Sequence, residues 1–396
     1  MWGDCMSERL KIAVIGVGNM GSAHAHSIFS GKVNGLQLAA LCDIREARKD
    51  YCAAAFPGIP FFESWESLLA ASCAEAVLIA VPHRLHAMIA CAALESGYHV
   101  LVEKPVDIRV SAALKLNETA QRSGRVFAVM LNQRTNALYA RAREIVQGGE
   151  LGELKRNSWI ITNWYRTQSY YDSSDWRATW SGEGGGVLIN QAPHNLDLWQ
   201  WICGMPQSVV GFCDVGKYHR IEVEDEATIF ARYANGATGT LIASTGEYPG
   251  TNRLEISGDR GKLVLENGQL KWWKLNRSEK EYRFGQSPGG EPETEYCEWA
   301  PAHPETAHLG ILQNFTNAVL YGEELLSPGK DGIRELMISN AAYLSAWKGG
   351  VAVPVPFDTE EFDRMLEERI QHSKRKPDRG EQAGNTAYLS RWSVRW

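Results

Sequence analysis

The sequence predicts an α/β chain: an N-terminal, doubly wound parallel sheet, then a C-terminal α+β domain on a large, open, mostly antiparallel sheet. Two observations point to the first half. Short apolar runs alternate with helical stretches, the pattern of strands covered by helices on both faces, and the first run leads into a Gly-rich turn. The third observation is a change of pattern after about residue 131, where Thr-, Trp- and Tyr-rich alternating strands follow one another across turn residues.

In the first half the strands fall at 11–15, 36–42, 76–81, 99–102 and 126–131, each a buried apolar run. Helical patterns occupy the stretch up to 30, then 45–55, 83–95 and 110–122. In the second half a helix over 136–147 stops at Gly148-Gly149, and a strand over 154–164 follows. A helix over 193–203 precedes strands at 208–215, 227–234, 238–244, 252–257 and 262–266, with Asn235-Gly236 and the glycines at 258 and 261 marking hairpin turns. Helices return at 307–321 and 332–348, and the polar stretch 278–304 reads as a loop. The expected division is residues 1–131, residues 132–357, and a C-terminal extension over 358–396 made of a helix and a tail. Residues 372–381 read as a flexible linker, and Tyr388, Leu389, Trp392, Val394 and Trp396 are too apolar for an idle tail.

The 396 residues suffice for two or three domains of roughly 150 residues. Hydrophobic residues at 44% and charged residues at 22% exclude a wholly disordered or fibrous chain. A net charge of −6 provides no basic field for nucleic acid, and no stretch of 18 apolar residues exists to span a membrane. The eight cysteines, Cys5 among them, are scattered without a CxxC pair or zinc spacing, so no metal is expected. With a polar N-terminus lacking a signal core, they suit the reducing cytoplasm. An open sheet leaves one face uncovered, which a second copy of the chain would cover.

Gly16-Val17-Gly18-Asn19-Met20-Gly21 follows the first strand and opens a helix. That context gives a GxGxxG meaning: the first glycine makes the tight turn, the second admits a pyrophosphate, and the third lets helix and strand pack closely. The helix N-terminus then points its free N–H groups at the phosphates. Asp43 ends the second strand, 22 residues past Gly21, where an acid accepts from an adenosine ribose. Its charge favours NAD over NADP, although Arg45 offers a partner for a 2′-phosphate.

Glu103-Lys104-Pro105 stands at the carboxyl end of a strand, the edge that faces the ligand crevice in open α/β sheets. Lys104 is placed there to reach a substrate hydroxyl beside a nicotinamide, and Pro82, His83 and His86 follow the preceding strand at the same edge. Further on, Gly184-Gly185-Gly186 leads to Asn190, His194 and Asp197. Asn190 and His194 share a face if the turn is already helical, and Asp197 is spaced to orient the imidazole. Trp164, Arg166 and Trp176, with Trp159, Tyr165, Tyr170, Tyr171, Trp180 and Arg177 around them, suit the C–H face and hydroxyls of a sugar. Arg134 either binds substrate or bridges domains.

Gly16, Gly18 and Gly21, then Glu103-Lys104-Pro105, then Gly184-Gly185-Gly186 through His194 together resemble the glucose–fructose oxidoreductase / inositol dehydrogenase / rhizopine-catabolism family, Gfo/Idh/MocA, over about residues 10–350. The resemblance implies a Rossmann domain, a bound NAD(P), and oxidation or reduction of a secondary hydroxyl on a sugar, glycoside or cyclitol. It implies that Lys104 contacts the reacting hydroxyl, that His194 handles its proton, and that the chain forms a homodimer or homotetramer. Family members often carry Asp four residues before that His; here Asn190 stands there and can orient a hydroxyl but not act as a base. Asn190-Gln191 ahead of the His is similar to sugar 3-dehydrogenases of the family, which points to C3 of a hexopyranoside. Two other functions stay open: an NAD-dependent glycosidase acting by transient oxidation, and a non-catalytic NAD-binding sensor or scaffold.

Overall fold

The computed structural model describes residues 9–285, 290–374 and 376. Cys5, most of the expected linker and the apolar residues from Tyr388 to Trp396 lie outside them. The described residues form two compact units, 9–135 with 306–333, and 136–305 with 334–374 and 376.

The first unit is built on β1 (Leu10–Ile15), β2 (Leu36–Cys42), β3 (Phe61–Phe62), β4 (Ala76–Ile79), β5 (His99–Val102) and β6 (Phe127–Val129). They form a six-stranded sheet in the order β3-β2-β1-β4-β5-β6, and each pair of neighbours is parallel. The order reverses between β1 and β4, so the turns leaving both strands open at the same edge, where such sheets bind ligands. Every residue of β4 and β6 is buried, and all but the first of β5, which explains their unbroken Val, Ile, Leu and Ala runs. The two-residue β3 and the short helix Trp65–Ala71, capped by the Ser64 side chain, are too brief to leave a periodic signal in the sequence.

The observed units differ from the expected division first in that the chain returns to the first unit at 306–333. The helix Ala307–Tyr321 places Ile311, Leu312 and Phe315 in the same core as Ile12, Val14 and Leu78. Arg134, 2% exposed, fastens this return: its Nη1 donates to Asp331 Oδ2 at 2.8 Å and to Leu326 O at 3.2 Å. These bonds join two segments of the first unit, whereas substrate binding or a bridge between domains was expected of Arg134. Ser327 adds an Oγ–H to Val129 O at 2.6 Å. A segment distant in sequence completes the sheet's cover, which no local pattern announces.

The second unit carries β7 (Leu154–Ile161), β8 (Ser208–Val215), β9 (Glu224–Arg232), β10 (Thr238–Ser244), β11 (Asn252–Gly258), β12 (Gly261–Glu266), β13 (Gln269–Leu275), β14 (Thr294–Trp299) and β15 (Val353–Pro354). Their order is β14-β13-β12-β11-β7-β10-β9-β8-β15. Neighbours are antiparallel except β7 and β10, which run parallel with Trp159 opposite Leu241. Two hairpin runs thus flank an inserted β7. The stretch 278–304, expected as a loop, holds the helix Glu279–Phe284 and β14. All six residues of β14 are exposed, so its polar sequence lacks the alternation of a half-buried strand, and pairing to β13 alone defines it. Trp159, Ile161, Leu241 and Leu254 point to the buried face, while Arg156, Ser158, Thr240 and Arg253 line the open one.

The helix Pro193–Cys203 lies on the buried face, where Trp199 Nε1 donates to Asn157 Oδ1 of β7 at 2.6 Å. The helix Thr359–Gln371 begins at Asp358, whose carboxylate accepts from the amides of Glu360 and Glu361. It buries Phe362, stacked on Trp347, so this part of the expected extension belongs to the second unit. Among the described residues no helix is long and apolar enough to cross a membrane.

Phe315→Ala tests the boundary found here. A cavity in the first core should cost about 3–5 kcal/mol in urea unfolding. A loss below about 1 kcal/mol would mean that the helix is not part of that core.

Candidate functional site

In the first unit the Gly-rich turn is set by close contacts. Gly16 has a φ of +88°, and a Cβ on it would lie 2.5 Å from Ala80 O; one on Gly21 would lie 1.8 Å from Gly16 O. The helix Asn19–Phe29 therefore starts hard against the sheet, and Gly18 caps it with no side chain. A Cβ on Gly18 would meet only Arg45 Nη2, at 3.8 Å, so the turn is open where a phosphate would lie. Asn19 and Met20 are half-buried beside it.

Asp43 is 7% exposed. Its Oδ2 accepts from Val17 N at 2.9 Å, and its Oδ1 from Arg45 N at 3.0 Å and Arg45 Nε at 3.2 Å. The carboxylate thus ties the end of β2 to the Gly-rich turn and draws Arg45 towards itself. These residues fit a dinucleotide: an open helix N-terminus for phosphates, and an acid with a cation at the end of β2.

Lys104, half-buried, follows β5 at the sheet's carboxyl edge. Its amide donates to Glu103 Oε2 at 3.2 Å. Glu103 Oε1 accepts from His24 Nε2 at 2.7 Å, and the His308 ring lies edge-on to His24 at 5.5 Å. Burial pushes the Glu103 carboxyl up, but the hydrogen bond and charge of His24, with His308 and Lys104, hold it at about 2. Burial lowers the pKa of His308 to about 4. Glu103, expected beside the cofactor, thus has its carboxylate turned into the protein behind Lys104.

His86 is likewise turned inwards, 1% exposed, with Nδ1 and Nε2 each 2.7 Å from a carbonyl oxygen, of Pro105 and Val81. Burial lowers its pKa. It joins the turn after β4 to the turn that carries Lys104. His83 packs beside it, and Pro82 is exposed at the start of that turn.

The second unit holds the other expected residues. A Cβ on Gly186 would lie 1.9 Å from Glu224 O, so the glycine turn lies flat on β9. The Glu224 carboxylate accepts from Gly186 N at 3.0 Å, Leu188 N at 2.9 Å and the Tyr343 hydroxyl at 2.6 Å. Burial pushes this carboxyl up to about 7, against the pull of the hydroxyl and the amides. Asn190 lies in the turn before the helix, which starts at Pro193, rather than on a common helical face with His194. Asn190 Nδ2 donates to Glu183 Oε1 and, at 3.5 Å, to the Tyr170 hydroxyl. The same hydroxyl accepts from Gln191 Nε2 at 3.3 Å and Arg177 Nη1 at 2.8 Å.

His194 is 6% exposed in the first turn of its helix. Its neighbour Asn195 accepts at Oδ1 from Trp164 Nε1 at 3.3 Å, and Asp197 accepts from Gln200 Nε2 at 2.9 Å. The expected aromatic group divides. Trp159, Tyr171 and Trp180 are structural, the first fully buried in β7, the second bonded to Thr245, the third packed on Tyr343 and Trp347. Trp164, Tyr170 and Trp176 form a wall with Arg166 and Arg177 over their rings. His24, His308, Glu183, Glu224 and Tyr343 have no assigned role in the sequence analysis. His24, three residues past Gly21, carried a legible signal in its place on the nucleotide helix; the others are joined only by the fold. Among the described residues no group of three or more His, Cys, Asp or Glu is placed to hold a metal.

Both units have relatives among known proteins. Residues 10–131 match the oxidoreductase family with an NAD-binding Rossmann fold, and residues 139–264 match the GFO/IDH/MocA C-terminal domain. The chain belongs to the Gfo/Idh/MocA family of NAD(P)-binding oxidoreductases. It is 29% identical to D-glucoside 3-dehydrogenase of Escherichia coli over 202 residues, 50% of this chain and 56% of that protein. It is 25% identical to levoglucosan dehydrogenase of Pseudarthrobacter phenanthrenivorans over 389 residues, 86% of this chain and 97% of that one. The first curated relatives are thus matched over only about half their length. The WlbA dehydrogenase of Bordetella pertussis, solved with NADH and UDP-GlcNAcA, superposes with a TM-score of 0.74 at 26% identity, over 89% of this chain and all of that one.

The buried Glu103–His24 pair makes a pH-dependent prediction. With its folded carboxyl held at about 2, Glu103 adds stability that is present above the ordinary carboxylate range and lost as pH falls towards 2. His24→Ala leaves burial to push that carboxyl up, so the variant should lose about 3 kcal/mol at pH 7 and less as the pH falls. Thermal melts from pH 4 to pH 7 check this; a constant difference would contradict it.

Proposed function

We propose that the protein is an NAD-dependent dehydrogenase acting on a secondary hydroxyl of a sugar, glycoside or cyclitol, at C3 of a hexopyranoside. The observation that carries this reading is Lys104, half-buried at the carboxyl edge of the nucleotide sheet with its main chain tied to a buried carboxylate. Asn190-Gln191 ahead of His194, and the likeness to a D-glucoside 3-dehydrogenase, support C3.

Gly16, Gly18, Asn19, Met20 and Gly21 hold the dinucleotide, with Asp43 and Arg45 at its ribose and the turn of Pro82 and His83 beside it. When bound, that group supplies the hydride acceptor. His194 takes the hydroxyl proton as a general base. The Lys104 ammonium stabilises the negative charge growing on the oxygen. Asn190 hydrogen-bonds the hydroxyl and orients it, while Trp164, Trp176 and Arg166 hold the ring. His86, Glu103 and His24 fix the turn under Lys104. The open sheet face carrying Arg156, Ser158 and Thr240 is covered by a second copy in a homodimer or homotetramer. Scattered free cysteines suit a cytoplasmic enzyme.

Two measurements test this. Purified protein is mixed with NAD⁺ or NADP⁺ and a panel of hexoses, inositols and glycosides, and nicotinamide reduction is followed. Lys104→Ala and His194→Ala should each lower kcat by about 100-fold or more. Full activity in either variant removes that residue from the mechanism. Cleavage of a glycoside without net reduction would instead indicate a transiently oxidising glycosidase, and nucleotide binding without turnover a sensor.

Cofactor choice makes a separate prediction. NAD⁺ should exceed NADP⁺ in kcat/KM by about tenfold or more, and Asp43→Ala should narrow that ratio. A wild-type preference for NADP⁺ would give Arg45 the decisive role.

A further inference from the structure

Arg166 is a preorganised cation in the wall next to Asn190 and His194. Its main chain is fixed at both ends: its N–H donates to Thr245 O at 2.9 Å, and its carbonyl accepts from His219 Nε2 at 2.9 Å. His219 is itself held by Asp225, which is fully buried and accepts its Nδ1–H at 2.9 Å and the amides of Lys217, Tyr218 and His219. The guanidinium carbon lies 5.5 Å from the Trp164 ring centre and 5.0 Å from that of Tyr170. Those two rings lead directly to the proposed chemistry, Trp164 through Asn195 next to His194, and Tyr170 through its hydroxyl to Asn190.

Among the described residues the charge of Arg166 is not matched by an acid. Among the described residues, its guanidinium makes one hydrogen bond, Nη1 to Tyr165 O at 2.9 Å. Its Nε is buried without an acceptor, and no carboxylate stands at ion-pair distance among those residues. The acids nearby are engaged elsewhere: Glu183 accepts from Asn190 and the Ala178 amide, and Asp172 from Gln168. A guanidinium held on aromatic faces keeps its outer edge free and is stripped of part of its water, so it gains strongly from an anion of matching geometry.

We propose that the substrate carries a carboxylate and that Arg166 receives it, so that the enzyme prefers a sugar acid or glycuronide to the neutral sugar. One fixed guanidinium matches the single charge and flat fork of a carboxylate. The proposal rests on the reading of Asn190 and His194 as substrate-facing residues.

Methyl β-D-glucuronide and methyl β-D-glucoside differ only at C6 and serve as probes with wild type, Arg166→Ala and Arg166→Gln. Turnover with NAD⁺ and binding to the NADH-loaded enzyme by calorimetry are both read. Wild type should favour the glucuronide by about tenfold or more in kcat/KM, chiefly through KM. Each variant should cut that preference by roughly 10- to 100-fold, the loss of one charged hydrogen-bonding partner. The Gln variant retains a planar amide over the rings, so agreement between the two separates lost charge from lost packing. Equal or greater activity on the glucoside in wild type, or equal losses on both probes in both variants, overturns the carboxylate proposal and leaves the dehydrogenase standing. Arg166-dependent glucuronide binding without any nicotinamide reduction overturns the dehydrogenase reading and leaves the anion site. Absence of both binding and turnover with the glucuronide overturns the anion site.

Discussion

The candidate residues of each unit depend on one constraint: a main chain that passes another too closely for any side chain to intervene. Gly21 stacks on the carbonyl of Gly16 in the first unit, and Gly186 on the carbonyl of Glu224 in the second, each where a Cβ would fall within 2 Å of an oxygen. The close approach has a chemical result. It sets the helix at Asn19 against the end of β1 with an open N-terminus, and it sets the turn of Asn190 on β9 just before the helix of His194. A side chain at either crossing would lift the following segment off the sheet and carry the candidate residues with it.

Buried carboxylates stabilise these crossings. Asp43 bonds the Gly-rich turn, Glu103 bonds the amide of Lys104 and the His24 ring, Glu224 takes two amides of the glycine turn, and Asp225 takes three amides and His219. Each acid sits behind a residue with a proposed chemical task. Unpaired buried charge is costly, so each carboxylate holds its loop to a narrow set of positions. A catalytic Lys or His set on such a loop arrives preorganised rather than searching for its geometry.

The wall of Trp164, Tyr170, Trp176, Arg166 and Arg177 follows the opposite rule. Here the protein leaves cationic and aromatic faces in contact, a surface that neutral packing alone would not require. Trp159, Tyr171 and Trp180, from the same aromatic-rich stretch, pack instead on neutral partners, Tyr139, Thr245 and Tyr343, although Trp164 and Tyr170 are buried as well. Trp159 sits in the alternating pattern of β7 and could have been assigned to the core from its register. Tyr171 and Trp180 could not, because the coil between β7 and the helix at Pro193 has no period to read.

The sequence by itself determined the parallel sheet, its Gly-rich turn, the position of Lys104 at a strand end, and most strands of the second sheet. These features are local: burial of a strand on both faces, the turn chemistry of glycine and the start of a helix at Pro193 are written within a few residues. Tertiary structure alone decided the return of residues 306–333 to the first core, the parallel pairing of β7 with β10, and the pairing of β14. It also decided that Glu103 would face His24, that His86 would bridge two main-chain turns, and that Glu224 would grip the glycine turn. All but the His86–Val81 contact join residues about twenty or more positions apart. Which polar group meets which is set by where the elements pack, and periodicity along the chain carries no record of it.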